Sequence, residues 1–96
     1  MPKTERSEVY SAVDGELRYQ RIKFGENPHE IDAFATYIRR YSALLDQEAT
    51  HGDTNEGKLG IVRKIAAIAV HCMELHGAPQ RDLSTSCATK GKSIGD

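Results

Sequence analysis

The amino-acid sequence predicts an all-α fold built from three helices in one domain. Three segments repeat their apolar residues with the 3.6-residue period of an amphipathic helix, and none alternates polar and apolar residues as a half-buried strand does. The pattern "NPHE" at 27–30 and the loop "GDTNEGK" at 52–58 mark helix boundaries between them. The predicted helices span about 5–24, 28–51 and 56–76, within a domain of residues 1–81.

The first predicted helix carries its apolar residues on one side, as a packed helix does. Gly15 lowers helix stability in the middle by about 1 kcal/mol relative to Ala, which leaves room for a bend or break there. Gly25 is the expected stop, because glycine readily adopts the backbone conformation that ends a helix. The apolar side consists of Val9, Tyr10, Val13, Leu17 and Phe24.

The second predicted helix has the clearest start signal of the chain. Asn27 is expected to cap it, Pro28 suits its first position, and Glu30 can reach back to the backbone N–H of the cap. The helix is expected to end near His51, before Gly52. Its apolar stripe consists of Ile31, Phe34, Ala35, Ile38, Tyr41, Leu44 or Leu45, and Ala49.

The third predicted helix is apolar around most of its circumference and ends before Gly77 and Pro79. Two helices of one short chain can hardly cover it, so a homo-oligomer, a dimer or larger, is expected. After Arg81 the chain is small and polar, which predicts a flexible tail at 82–96. One apolar face consists of Leu59, Val62, Ile65, Ala66, Ala69, Cys72 and Met73, and Ile61, Ile68 and Leu75 add a second.

Composition excludes several classes of function. The 96 residues carry a net charge of −1, so no general field attracts duplex nucleic acid or a membrane. The sequence shows no apolar run of membrane-spanning length and no signal peptide, and its two cysteines, Cys72 and Cys87, lie in unlike contexts. We therefore expect a cytoplasmic protein without disulfides, with neither a membrane nor duplex nucleic acid as partner.

Metal, cofactor and nucleophile motifs are weak. His71 and Glu74 share a helical face, with His76 nearby and His51 at the end of the second helix, but the spacing is not that of a zinc motif. These histidines are interpreted as surface or capping residues. Cys72 lies among apolar neighbours, which disfavour a reactive thiolate. The sequence predicts no metal site, no cofactor and no catalytic residue.

The basic residues are more informative. Arg39 and Arg40 lie in the middle of the second helix, and Arg63 and Lys64 near the start of the third. If these helices pack antiparallel, the four side chains could converge and bind phosphate, since guanidinium groups grip anionic oxygens in pairs. The alternative is a solvated face whose cations pair with Asp46, Glu48 and Glu74. Further cations end the first helix, namely Arg18, Arg21 and Lys23.

The turn "QRIKFGENPHE" (20–30), the long second helix that follows it and the Ala-rich "KLGIVRKIAAIAVHCMELHG" (58–77) carry a family resemblance. Over residues 16–81 the chain resembles small phage-encoded proteins similar to the MazG-like all-α nucleotide pyrophosphohydrolases. In that group a "Q..KWGxxxH"-like turn follows a charged first helix. The resemblance implies a helical bundle completed by dimerisation or further assembly.

The resemblance implies different chemistry for this chain. Active members hold Mg²⁺ with an ExxE-type motif on the second helix and an ExxD-type motif on the third. The corresponding segments here, "IRRYSALL" and "LGIVRKIAA", contain no carboxylate, and Arg39, Arg40, Arg63 and Lys64 occupy that neighbourhood. Because cations repel Mg²⁺, hydrolysis by the family's mechanism is expected to be lost.

Three functions follow as hypotheses. The first is a non-catalytic phage protein that binds a nucleotide or cyclic nucleotide through these four cations, with Tyr37 or Tyr41 stacked on a base, and so sequesters a host defence signal in the host cytoplasm. The second is an inhibitor that binds a host defence or regulatory protein. The third is a residual metal-dependent pyrophosphohydrolase with a rearranged site drawn from Glu26, Glu30, Asp32, Asp46 and Glu74.

Overall fold

A computed structural model describes residues 3–25, 28–50 and 54–82, without the side chains of residues 49 and 50. In these ranges the chain forms three α-helices and no strand: α1 (Arg6–Phe24), α2 (Ile31–Thr50) and α3 (Asn55–His76). The predicted all-α class is therefore confirmed. The predicted Asn27 cap, the end of the second helix at 51–52 and the tail beyond Asp82 lie outside the described residues.

The helix ends follow from local chemistry at α1 and α3. Gly25, with φ at 82°, donates its N–H to the Arg21 carbonyl at 2.8 Å, and α1 stops there. Thr54 caps α3, since its hydroxyl accepts the N–H of Gly57 at 3.1 Å. Gly77, with φ at 118°, ends α3 as predicted. Gly15 does not break α1, which is continuous from Arg6 to Phe24.

The start of α2 differs from the prediction. The helix begins at Ile31 rather than at Pro28, and the Glu30 carbonyl accepts the N–H groups of Ala33 and Phe34 at 3.0 and 3.3 Å. The His29 carbonyl instead accepts a hydrogen bond from Nε2 of His76 at 2.7 Å. A tertiary contact with the end of α3 thus uses the carbonyl that a longer helix would need for its own first turn.

The central helix is α3, which packs against both α1 and α2. Helix α2 runs antiparallel to α3, because His29 precedes α2 and meets His76 at the end of α3. Helix α1 runs in the same sense as α3, since Glu16 and Arg21 contact Arg63 and Glu74 in that order. No pair of Cα atoms within 8 Å joins the described parts of α1 and α2.

The core lies where α3 meets the other two helices, and it is small. The predicted apolar faces extend beyond it: Phe24 is 63% exposed and Leu59 62% exposed. Glu16 is only 7% exposed, a buried carboxylate that the apolar pattern of α1 did not indicate. The buried apolar residues of the described chain are Leu17, Phe34, Ile61, Ala67 and Ile68.

Candidate functional site

An open groove lies between α1 and α2, which pack on α3 and have no pair of Cα atoms within 8 Å of each other in their described parts. Its volume is about 840 Å³, within the range of small-molecule sites. We call it the α1–α2 groove. Its lining residues are Gln20, Arg21, Phe24, Gly25, His29, Phe34, Tyr37, Arg40, Tyr41, Ala43, Leu44, Gln47, Ile68 and His71.

Aromatic rings form one part of this lining. Phe34, which is 3% exposed, packs edge-to-face against His29 at 5.6 Å and against His71 at 5.3 Å between ring centroids. His29 makes a second edge contact, with Tyr37, also at 5.6 Å. Edge-to-face pairs hold ring orientations beyond what burial alone does. The groove therefore has a fixed aromatic wall, with Tyr37 and Tyr41 one turn apart on α2.

The charged side chains among the described lining residues of the groove are both cations. Arg21 from α1 and Arg40 from α2 line it together with His29 and His71, and no carboxylate is among its described lining residues. Arg40 is exposed and has no hydrogen bond or ion pair within the described chain. A guanidinium without a carboxylate partner, beside aromatic faces, can bind an anionic group with two parallel N–H donors.

The structure separates the residues that the sequence grouped as one phosphate site. Arg40, Tyr37 and Tyr41 line the groove, whereas Arg39, Arg63 and Lys64 are not among its lining residues. Arg39 lies on a different side of α2 from Arg40, because adjacent residues of a helix are about 100° apart around its axis. Lys64 is half-buried on α3, one turn before Ile68 of the groove floor.

Arg63 has another partner. Its Nε donates to Oε1 of the buried Glu16 at 2.9 Å, and Nε2 of Gln20 donates to the other carboxylate oxygen at 3.1 Å. Arg63 thus neutralises a buried negative charge between α1 and α3. The solvated-face hypothesis named Asp46, Glu48 and Glu74 as partners of the cations, and Glu16 was missed. The only signal in the sequence was an acid directly beside Leu17, on the apolar side of α1.

Arg21 was noted in the sequence only as one of three cations at the end of α1. In the structure it lines the groove and its terminal nitrogen pairs with Glu74 of α3. Its Nε is buried and has no hydrogen-bond partner in the described chain. Only the packing of α1 on α3 brings Arg21 to the groove, so helical periodicity could not have singled it out.

Three of the side chains weighed as metal ligands have other contacts, and the fourth, His51, lies outside the described residues. Glu74 pairs with Arg21, His76 contacts the His29 carbonyl, and His71 packs on Phe34. No group of three or more His, Cys, Asp or Glu side chains with metal-binding geometry occurs among residues 3–25, 28–50 and 54–82. The described donors therefore do not form the Mg²⁺ site that the resemblance drawn from the sequence would imply in an active member. Glu26, another candidate acid, lies outside the described residues.

None of the described helices has both the length and the hydropathy that crossing a bilayer requires.

No protein-family model matches the chain, no curated protein is significantly similar to it, and no solved structure matches it.

Proposed function

We propose that this protein binds a phosphate-bearing nucleotide, linear or cyclic, in the α1–α2 groove without hydrolysing it. One observation carries the proposal: the groove combines Arg40 with exposed aromatic faces and has no carboxylate in its described lining. Electrostatic complementarity of this kind favours anions and disfavours cations. The aromatic faces favour a planar ring over a simple inorganic ion.

Arg40 is the proposed phosphate ligand. It is exposed, lies on the wall formed by α2, and has no competing partner in the described chain. Tyr37 lies three residues before Arg40 and Tyr41 one residue after it, so one helical surface presents both the rings and the cation. A base stacked on either tyrosine would gain about 1–3 kcal/mol.

The other three cations take different parts in the proposal. Arg63 is a structural residue, because its Nε is used by the buried Glu16. Arg39 is exposed on another side of α2 and serves as a control position. Lys64 lies one turn from the groove floor, where its positive charge adds to the local potential without direct contact.

The absence of hydrolysis belongs to the same proposal. Mg²⁺-dependent cleavage needs converging carboxylates, and the neighbourhood of Arg40 supplies cations instead. Kinship with the MazG-like group would then leave this chain a binder, and sequestration of a host signalling nucleotide in the host cytoplasm is the proposed role. Release of pyrophosphate from nucleoside triphosphates in the presence of Mg²⁺ would contradict this part and favour the residual enzyme.

Self-association is also proposed, on a separate observation. Leu59, Val62 and Met73 are exposed along one stripe of α3, with two half-buried alanines between them at heptad-like spacing. Sedimentation velocity should show a dimer or larger species that Val62→Glu converts to monomer, while Arg39→Glu leaves it intact. A monomeric wild type that captures a host protein through this stripe would instead support the inhibitor hypothesis.

The nucleotide proposal is tested by thermal melting with nucleoside triphosphates and cyclic oligonucleotides. A ligand at 100 times its Kd adds about 2.7 kcal/mol, which raises the Tm of a domain this size by roughly 10 °C or more. Arg40→Ala should remove that shift, and Arg39→Ala, which deletes the neighbouring exposed guanidinium, should keep it. Absence of any shift across the panel, or equal loss in both variants, would refute the groove as the site.

A further inference from the structure

Arg21 pairs with a carboxylate of α3 and at the same time lines the α1–α2 groove. It lines the α1–α2 groove from the α1 side, opposite the wall that carries Arg40. One terminal nitrogen pairs with Glu74, which is not among the lining residues of the groove. The guanidinium therefore joins the groove to a carboxylate outside it.

The pairing of Arg21 with Glu74 leaves hydrogen-bonding capacity unused. A guanidinium has five N–H donors, and a full pairing with a carboxylate uses two of them in parallel. Here the recorded contact is to a single nitrogen, and the buried Nε has no acceptor in the described chain. A buried donor without a partner is destabilising by about 1–3 kcal/mol, so a new acceptor that reaches Arg21 is favoured.

The environment of Glu74 makes the pair exchangeable. The Glu74 side chain is 45% exposed, and exposed ion pairs contribute little because water solvates both charges when they part. The pair of Arg63 and Glu16 is different, since Glu16 is buried and also bonded to Gln20. Of the two described ion pairs between α1 and α3, the pair of Arg21 and Glu74 is therefore the one that can release its cation at the smaller cost.

We propose that Arg21 is a second anion-binding residue of the groove and that Glu74 competes with the ligand for it. The inference rests on the proposed function and narrows its ligand class. A cation on each wall, Arg40 on α2 and Arg21 on α1, fits a nucleotide with at least two phosphate groups. Glu74 then acts as a positioning residue that lowers affinity for ligands with a single phosphate, which cannot displace it.

The test measures binding of inorganic pyrophosphate and of inorganic phosphate by calorimetry to the full chain. Glu74→Gln should tighten pyrophosphate binding about two- to fivefold, the contribution of an exposed ion pair. Arg21→Gln should weaken it about tenfold, the contribution of a hydrogen bond to a charged group. Asp14→Asn is the matched control. It removes the charge of a carboxylate that pairs with Arg18 on the exposed surface of α1, so the affinity for pyrophosphate should stay the same.

A combined variant separates direct competition from a general change of charge. In the Arg21→Gln background, Glu74→Gln should no longer tighten binding, since its effect acts through Arg21. Equal tightening with and without Arg21, or by Asp14→Asn as well, would overturn the proposal. A purely structural ion pair would lower the Tm of both single variants without changing the selectivity for pyrophosphate over phosphate.

The outcomes distinguish this inference from the proposed function. If nucleotides bind in a manner that depends on Arg40, but pyrophosphate affinity does not respond to Arg21 or Glu74, the groove remains the site and the competition is refuted. If wild type binds nucleotides but not pyrophosphate, recognition of two phosphates is refuted while the nucleotide site stands. If the wild type binds neither, both proposals fail.

Discussion

The two interfaces of α3 are built from different chemistry. Against α2 it packs through rings, with Phe34 of α2 placed among His71 and His76 at centroid distances of 5.3 and 6.1 Å. Against α1 it adds two charged pairs, Glu16 with Arg63 and Arg21 with Glu74. Burial of apolar area stabilises an interface directly, whereas ion pairs must first offset the loss of water. The comparison therefore indicates that α2 is held more firmly than α1.

The largest effect is expected at the aromatic interface. Phe34→Ala removes a ring that is 3% exposed and should lower the free energy of unfolding by about 3 kcal/mol, at the lower end for buried phenylalanine. Urea denaturation followed by circular dichroism measures the loss. Phe24→Ala removes the other phenylalanine of the chain, which is largely exposed, and should lower stability by less than about 1 kcal/mol. Equal losses would contradict the assignment of Phe34 to the core and of Phe24 to the surface.

The charged interface is tested by Arg63→Ala. This change leaves the buried Glu16 without its cation and should lower the free energy of unfolding by about 2 kcal/mol, because a bond to a charged group is lost. Arg21→Ala is the matched variant, and it should lower stability by about 0.2–1 kcal/mol because Glu74 stays solvated. If the two variants lose equal stability in urea, the two ion pairs do not differ in role.

The smallest effect is a gain of stability. A Cβ added at Gly15 would meet nothing within 4 Å, so Gly15→Ala should stabilise α1 by about 0.5–1 kcal/mol through helix propensity alone. Gly77→Ala is the control, since φ at 118° strains any residue with a Cβ and should lower stability. A loss of stability in Gly15→Ala would show that α1 makes contacts at this glycine in solution.

Local sequence patterns predict the parts of the fold that depend on neighbours along the chain. The three helices and the stops at Gly25 and Gly77 follow from apolar period and glycine conformation. The start of α2 does not, because the His29 carbonyl is taken by His76, 47 residues away. The motif "NPHE" cannot show that His76 will take this carbonyl in place of an N–H of the helix itself.

The residues of the candidate site also divide into those placed by local sequence and those placed by contacts between helices. Tyr37, Arg40 and Tyr41 are close in sequence and share one helical surface, so the sequence alone was enough to associate them. Convergence of Arg39, Arg63 and Lys64 on the same place depended on helix rotation and packing, and the structure puts these three elsewhere. Arg21 and Glu16 gain their positions only when α1 packs on α3. Whether an arginine lines the groove or pairs with a buried acid, as Arg63 does, depends on contacts between helices that the residue type does not reveal.

The missing contact between α1 and α2 has a consequence for how the molecule would respond to an occupant. Three helices can form three pairwise interfaces, and the described chain forms two of them. A molecule that touched Arg21 on one wall and Arg40 on the other would supply the third, as a cross-link made of ligand rather than protein. Its binding energy would then hold α1 in place, and amide hydrogen exchange in that helix would slow more than in α2 or α3.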